Sequence, residues 1–248
     1  MITRILKKLI HSTLQKFNYD LLRYPHGDYA KRIEIIKQYN IKTIFDVGAN
    51  IGEFADIMRD SGYNQRIVSF EPRKQAFTEL NQKAQNDKLW NCVNIALGDS
   101  NGTSTINVAG NNTSSSILEM NKIHTDIKPH SKYIGKEEVV VKKLDAILFD
   151  YINEKEEIYL KIDTQGYEKQ ILDGAEKSIP NIRIIQLEMS LVELYKNSPL
   201  IYEMIPFLES KRFFLCSIER GFHDKKTGRL LQVDGIFIQV DHSLPDTN

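Results

Sequence analysis

Cysteine is scarce in this chain of 248 residues: Cys92 and Cys216 are the only two, and neither has a partner at metal-ligand spacing. A disulfide framework is thereby excluded, and the usage is that expected of a reduced, cytoplasmic protein. Net charge is missing too, because 33 basic residues balance 33 acidic ones, so no electrostatic footprint for nucleic acid is present. No apolar run approaches the roughly 20 residues of a membrane span. Charges also interrupt the apolar residues of the amino terminus, so no signal peptide is expected there. The close Gly-x-Gly pair of a dinucleotide fingerprint is absent, and so is the Gly-Lys-Ser/Thr of a phosphate loop. A nicotinamide dehydrogenase is disfavoured on that ground. No Ser-His-Asp or Cys-His arrangement stands out, and His223 reads as a surface loop residue.

What is present centres on Thr43-Ile44-Phe45-Asp46-Val47-Gly48-Ala49-Asn50-Ile51-Gly52-Glu53-Phe54. An apolar strand runs into a glycine-interrupted turn and then a helix. Gly48 and Gly52 accept backbone angles closed to other residues and let a ligand pass close. The helix behind them aims free N–H groups and a positive dipole end at the turn. Asp46 adds a fixed acceptor at the strand's end. A carboxylate there repels a pyrophosphate and favours a cation or a hydroxyl, so the turn suits a nucleotide-like ligand without a phosphate at the turn.

From residue 41 onward, apolar strands alternate with helices: strands over 41–47, 66–70, 91–97, 158–163 and 182–187, helices over 53–62 and 73–86. The pattern predicts an α/β fold with a parallel sheet and right-handed crossovers. Pro72 ends the second strand because it has no N–H for the ladder. A helix over 200–210 and an antiparallel pair over 213–218 and 234–240 close the sheet. Ligands on such sheets bind beyond the carboxyl ends of the strands. The first three strands end near Asp46, Glu71 and Asp99, which places three carboxylates at one edge. Glu71 follows Gly48 by 23 positions, close to the roughly 20-residue offset at which an acidic residue takes ribose hydroxyls. Asp99, with Leu97 beside it, suits an exocyclic amine.

Taken together, Asp-Val-Gly-Ala-Asn-x-Gly-Glu-Phe from Asp46, Phe-Glu-Pro from Phe70, Ala-Leu-Gly-Asp from Ala96 and Lys-Ile-Asp-x-x-Gly-x-Glu from Lys161 resemble the FkbM family of S-adenosylmethionine-dependent methyltransferases. The resemblance runs from about residue 41 to 240 and implies a Rossmann-like class I methyltransferase fold with S-adenosyl-L-methionine as cofactor. It implies that Asp46, Gly48, Asn50, Gly52 and Glu53 frame the methionine end, with Glu71 on the ribose and Leu97, Gly98 and Asp99 around the adenine, and that Phe54 and Pro72 also bind the cofactor. It also implies that Ser115 and Ser116 belong to a serine-rich loop over the cofactor, and that Asp163 stands nearest the transferred methyl. Relatives often carry Glu where this chain has Gln165.

Residues 100–145 interrupt the alternation. Two strands, 103–108 and 138–142, bracket the Asn/Ser run of 110–116 and a long polar stretch, the composition of a lid or binding loop. Lys161 and Asp163 share one face of the fourth strand, where a lysine is costly unless it is paired or lies at the open end. Asp163 or Glu188 is the expected base, with Lys161 orienting; no metal-ligand cluster is apparent. Residues 1–40 read as a helical extension before a methyltransferase domain over 41–248. Its first helix places Ile2, Ile5, Leu6, Leu9, Ile10, Leu14 and Phe17 at helical spacing among basic residues. That helix is expected to pack on its own domain or on a second subunit, with an anionic membrane surface as the alternative. The expected reaction is O-methylation of a hydroxyl on a sugar, glycan or glycolipid precursor. The alternatives are N-methylation of a small metabolite or protein, and a module that binds the cofactor without turnover.

Overall fold

Short runs of β-branched and aromatic residues build the centre of the molecule. In a computed structural model that describes residues 2–19 and 27–240, the amino end forms helices α1 (Ile2–Gln15) and α2 (Gly27–Gln38). There follow β1 (Thr43–Val47), α3 (Glu53–Asp60), β2 (Arg66–Phe70), α4 (Lys74–Ala84), β3 (Trp90–Val93), β4 (Ala96–Leu97) and β5 (Gly102–Ala109). Next come α5 (Lys122–Ile127), β6 (Tyr133–Lys142), α6 (Leu144–Ile147), β7 (Ile158–Ile162) and α7 (Glu168–Asp173). The chain closes with β8 (Ile182–Ser190), α8 (Ile201–Ser210), β9 (Phe213–Arg220) and β10 (Gln232–Gln239). The sequence Tyr24-Pro25-His26-Gly27 breaks the helical pattern before α2, and its first three residues lie outside the described ones.

Seven strands form the main sheet in the order β3-β2-β1-β7-β8-β10-β9. Pairing is parallel from β3 to β8, and β10 runs antiparallel to both β8 and β9. Both faces are buried, which is why these strands read as continuous apolar runs rather than alternating ones. Phe45, Val68, Leu160, Ile185 and Phe237 pack into one layer, and Ile44, Ile67, Tyr159, Ile184 and Ile236 into the other. Truncating Phe45 to Ala would cost about 3–5 kcal/mol in such a core. Helix α2 adds Ile33, Ile35 and Ile36 to the second layer.

The expected strand over 91–97 divides in two. Trp90–Val93 pairs with β2, but Ala96–Leu97 pairs with β6 in a separate three-stranded sheet ordered β4-β6-β5. Asn94 sits at the break and donates through Nδ2 to the Glu71 and Pro72 carbonyls, both at 2.9 Å. The chain therefore leaves the main sheet before Asp99. In the opposite sense, β8 continues past its expected end at residue 187. β10 starts two residues earlier than expected and pairs Glu188 with Asp234 and Ser190 with Gln232. The inserted region holds its two expected strands as β5 and β6, each longer than expected, and the polar stretch between them contains α5.

Candidate active site

A cavity of about 300 Å³ opens beyond the carboxyl ends of β1, β2 and β7, with the 110–117 loop on one side and α2 on the other. Its geometry begins at the turn after β1. Gly48, Asn50 and Gly52 have φ of +75°, +49° and +86°. The Gly48 and Ala49 N–H groups both donate to Phe70 O at 3.0 Å, which fixes the turn against β2. A β-carbon on Gly48 would stand 1.9 Å from the backbone oxygen of Asp163, so glycine is what lets the β1 and β7 ends meet. Gly52 differs: its neighbours are the Leu80 and Trp90 side chains, and it serves helix packing rather than the cavity wall.

Glu71, buried at the end of β2, lines the cavity and accepts one backbone N–H on each oxygen, Asn50 on Oε2 and Arg73 on Oε1, both at 2.9 Å. Burial pushes its carboxyl up to about 7 despite those two donors. Two further polar atoms on the wall, Asn50 Oδ1 and Arg73 Nε, are buried without a hydrogen-bond partner among the described residues. Beside Glu71 an apolar slot is made by Ile95, Leu97, Ile106 and Ile117, with the Tyr167 ring. Pro72, Glu53 and Phe54 also line the cavity. This end thus combines a buried carboxylate, an unpartnered carbonyl oxygen and an apolar wall.

Asp46 is wholly buried in β1 and does not reach the cavity. Its carboxylate is taken up by Lys161 Nζ at 3.0 Å and by Ser69 Oγ at 3.3 Å. In-register pairing of β1 with β7 sets Asp46 beside Lys161, which corrects the expectation that Asp46 meets a ligand directly. Gly98 is buried against Val141 and Tyr167, and Asp99 is exposed; neither lines the cavity, because the chain has turned into the second sheet before reaching them. Asp99 is therefore not placed to meet a ring amine.

The other end of the cavity holds the charged groups of β7 and its neighbours. Asp163 keeps 40% of its side chain exposed and lies 3.8 Å from Lys161, which is itself buried. The pull of Asp46 and Asp163 outweighs burial and holds the lysine above its ordinary value, so it stays cationic. Gln165, in the left-handed region at φ +60°, donates through Nε2 to Asp163 Oδ1 at 2.9 Å and to Glu188 Oε2 at 2.8 Å. Its Oε1 accepts from Tyr195 OH at 2.8 Å. Glu188 also takes the Gln232 amide at 2.6 Å and stands behind Gln165 rather than on the cavity wall. Enclosure first, then Asp163 and Asp234, push its carboxyl well above the ordinary range. Glu168, fully enclosed, braces the same turn by accepting the N–H of Thr164 at 2.9 Å and of Gly166 at 3.1 Å, and burial raises it to about 7.

The Asn/Ser run is a pinned loop. Asn107 Nδ2 donates to the carbonyls of Ser116 and Leu118, both at 3.2 Å, and Asn111 Oδ1 accepts the N–H of Ser114 at 2.9 Å. Ser115 lines the cavity while its Oγ accepts from Ala109 N. Ser116 does not: its Oγ donates to Gln165 O at 2.7 Å, tying the loop to the β7 turn.

Several wall residues carried no signal in the sequence. Tyr29 and Arg32 come from α2, and Gln186 and Asp234 from β8 and β10. Arg32 is anchored by two bonds to Glu219, of which Nε to Oε1 is 3.0 Å, and lies 5.3 Å from the Tyr29 ring and 5.9 Å from that of Phe54. Asp234 takes the Gln186 amide at 3.4 Å; burial and the nearby Asp163 raise its carboxyl. His223 lies off the wall, and among the described residues no group of three His, Cys, Asp or Glu is arranged to hold a metal.

Comparison with curated proteins gave no match. Among solved structures, methyltransferase FkbM from Methylobacillus flagellatus KT is 16% identical, with a TM-score of 0.46. That likeness covers 79% of this chain and 44% of that one, so this chain spans less than half of that protein's length. The 1,6-didemethyltoxoflavin-N1-methyltransferase of Burkholderia thailandensis, solved with S-adenosylhomocysteine, is 8% identical at a TM-score of 0.46, over 97% of this chain and 89% of that one. An rRNA methylase from Streptococcus thermophilus is 9% identical at 0.48, over 88% of this chain and 100% of that one. Residues 46–215, well over half of the sequence, match the methyltransferase FkbM domain, and the chain belongs to that family.

Proposed function

We propose that this protein transfers a methyl group from S-adenosylmethionine to a hydroxyl of a sugar, glycan or glycolipid precursor. The observation that carries the reading is the division of one cavity into two unlike ends. At one end, Glu71 and the Ile95–Leu97 slot fit a nucleoside: each carboxylate oxygen keeps a lone pair beyond its backbone donor, and vicinal hydroxyls are suited to both. Asn50 Oδ1, buried and unpartnered, offers an acceptor for an ammonium. When bound, the cofactor supplies a methyl group already activated by a sulfonium.

At the other end, Asp163 accepts the proton of the attacking hydroxyl. It is the one member of the Asp163–Glu188 pair on the cavity wall. Lys161 holds it in place from 3.8 Å, and the Gln165 amide fixes its Oδ1. Positioning of the two reactants supplies up to about 7–11 kcal/mol in favourable cases, and a placed base a further 10²–10⁴-fold or so. The aromatic faces of Tyr29 and Phe54, with the carboxylates of Asp163 and Asp234, suit a ring bearing several hydroxyls. Oxygen is favoured over nitrogen because two carboxylates beside an amine would hold it protonated and unreactive.

The test is an acceptor screen with nucleotide sugars and lipid-linked sugars, following S-adenosylhomocysteine release and product mass. Methyl addition to oxygen is the expected result. Turnover only with amine acceptors, or none with any acceptor, would overturn the reading.

A further inference from the structure

Helix α1 takes no part in the cavity, and the charge around it is lopsided. Residues 1–19 hold four cations, Arg4, Lys7, Lys8 and Lys16, and no acid, while the remainder carries all 33 acidic residues against 29 basic ones. Four apolar residues of this segment are open to solvent: Leu6 is 56% exposed, Ile10 42%, Phe17 69% and Tyr19 69%. A helix that docked on its own domain would bury that row, as α2 does with Ile33, Ile35 and Ile36. Fourteen residues make a helix about 21 Å long, shorter than the roughly 30 Å hydrocarbon core, so it is suited to lie along a bilayer and not to cross it.

We propose that α1 docks the protein on an anionic phospholipid surface. Leu6, Ile10 and Phe17 enter the boundary between headgroups and acyl chains, and the basic residues meet the headgroups. Apolar burial and charge attraction act together in such binding. Tyr19, aromatic with a polar tip, suits the interfacial layer just beyond the helix. A second copy is the rival occupant, but two α1 helices laid face to face would bring together eight cations with no acid between them. The proposal stands apart from the identity of the methyl acceptor, and its test does not use turnover.

The experiment is co-sedimentation of the full chain with vesicles of phosphatidylcholine mixed with phosphatidylglycerol, against vesicles of phosphatidylcholine alone. The protein is expected to pellet with the anionic vesicles at low salt and to be released at high salt. Replacing Lys7→Gln and Lys8→Gln together should weaken partitioning about thirty-fold, from the worth of two cations at such a surface. Leu6→Gln with Ile10→Gln should abolish it, while thermal unfolding of both variants matches the parent. Failure to pellet with anionic vesicles, or equal pelleting with neutral ones, overturns the proposal. So does a concentration-dependent dimer in light scattering that the Leu6→Gln, Ile10→Gln variant alone abolishes.

Discussion

The two ends of the cavity are built from different parts of the chain. The end assigned to the cofactor uses consecutive strand ends, Gly48, Ala49, Asn50 and Glu53 after β1 and Glu71 to Arg73 after β2, all within the matched segment 46–215. The end assigned to the acceptor borrows Tyr29 and Arg32 from α2 before that segment, and Asp234 from β10 after it. Glu219, which anchors Arg32, also lies beyond the matched segment. The half that binds a constant ligand is thus contiguous and motif-bearing. The half assigned to the acceptor joins Asp163 and Gln186 of the matched segment to pieces that flank it.

The sharpest way to break this division is to separate chemistry from binding at Asp163. Asp163→Asn should lower turnover by about 10²–10⁴-fold and leave cofactor affinity unchanged. Glu188→Gln, which keeps a partner for Gln165, should cost less than about tenfold by the same measure. Equal losses would move the base to Glu188. Next in size is Arg32→Ala. It leaves Glu219 buried and unpaired, so denaturant unfolding should show a loss of about 3–5 kcal/mol, and acceptor KM should rise with the cofactor constant unchanged.

Glu168 gives a pH signature. Its carboxyl stands at about 7 in the fold against an ordinary 4.5, so the folded state holds the proton more tightly. The associated stability is present below about pH 4.5 and is lost as pH rises through 7. Glu168→Gln keeps an acceptor for the Thr164 and Gly166 N–H groups but cannot ionise. Its stability relative to the parent should therefore grow by about 1–3 kcal/mol between pH 5 and pH 8, read from urea midpoints. A flat difference across that range would remove Glu168 as a buried titrating brace. The smallest effect is Asp234→Asn, expected to raise acceptor KM about tenfold through one weakened charged hydrogen bond.

The same contrast explains what was legible in the sequence. Apolar runs gave the order of strands and the buried sheet, because strands covered on both faces leave continuous hydrophobic segments. The Gly48 turn and Glu71 were readable because a fixed local spacing places them at a sheet edge. Asp99 and Gly98 were misplaced because Asn94, an unremarkable residue in sequence, satisfies two carbonyls at the end of β2 and turns the chain away. Asp46 was assigned to a ligand although its partner, Lys161, lies more than a hundred positions away and meets it only through strand register. Arg32 gave no signal for the same reason, since its meaning depends on Glu219 across the fold. Contacts local in sequence leave a pattern; contacts made by topology do not.

Calorimetric titration of S-adenosylmethionine into the parent, Glu71→Gln and Asp234→Asn proteins tests the division most directly. The account predicts one-site binding in the parent, a loss of about 10–100-fold in Glu71→Gln, and parental affinity in Asp234→Asn. No binding to the parent, or equal weakening in the two variants, would contradict it.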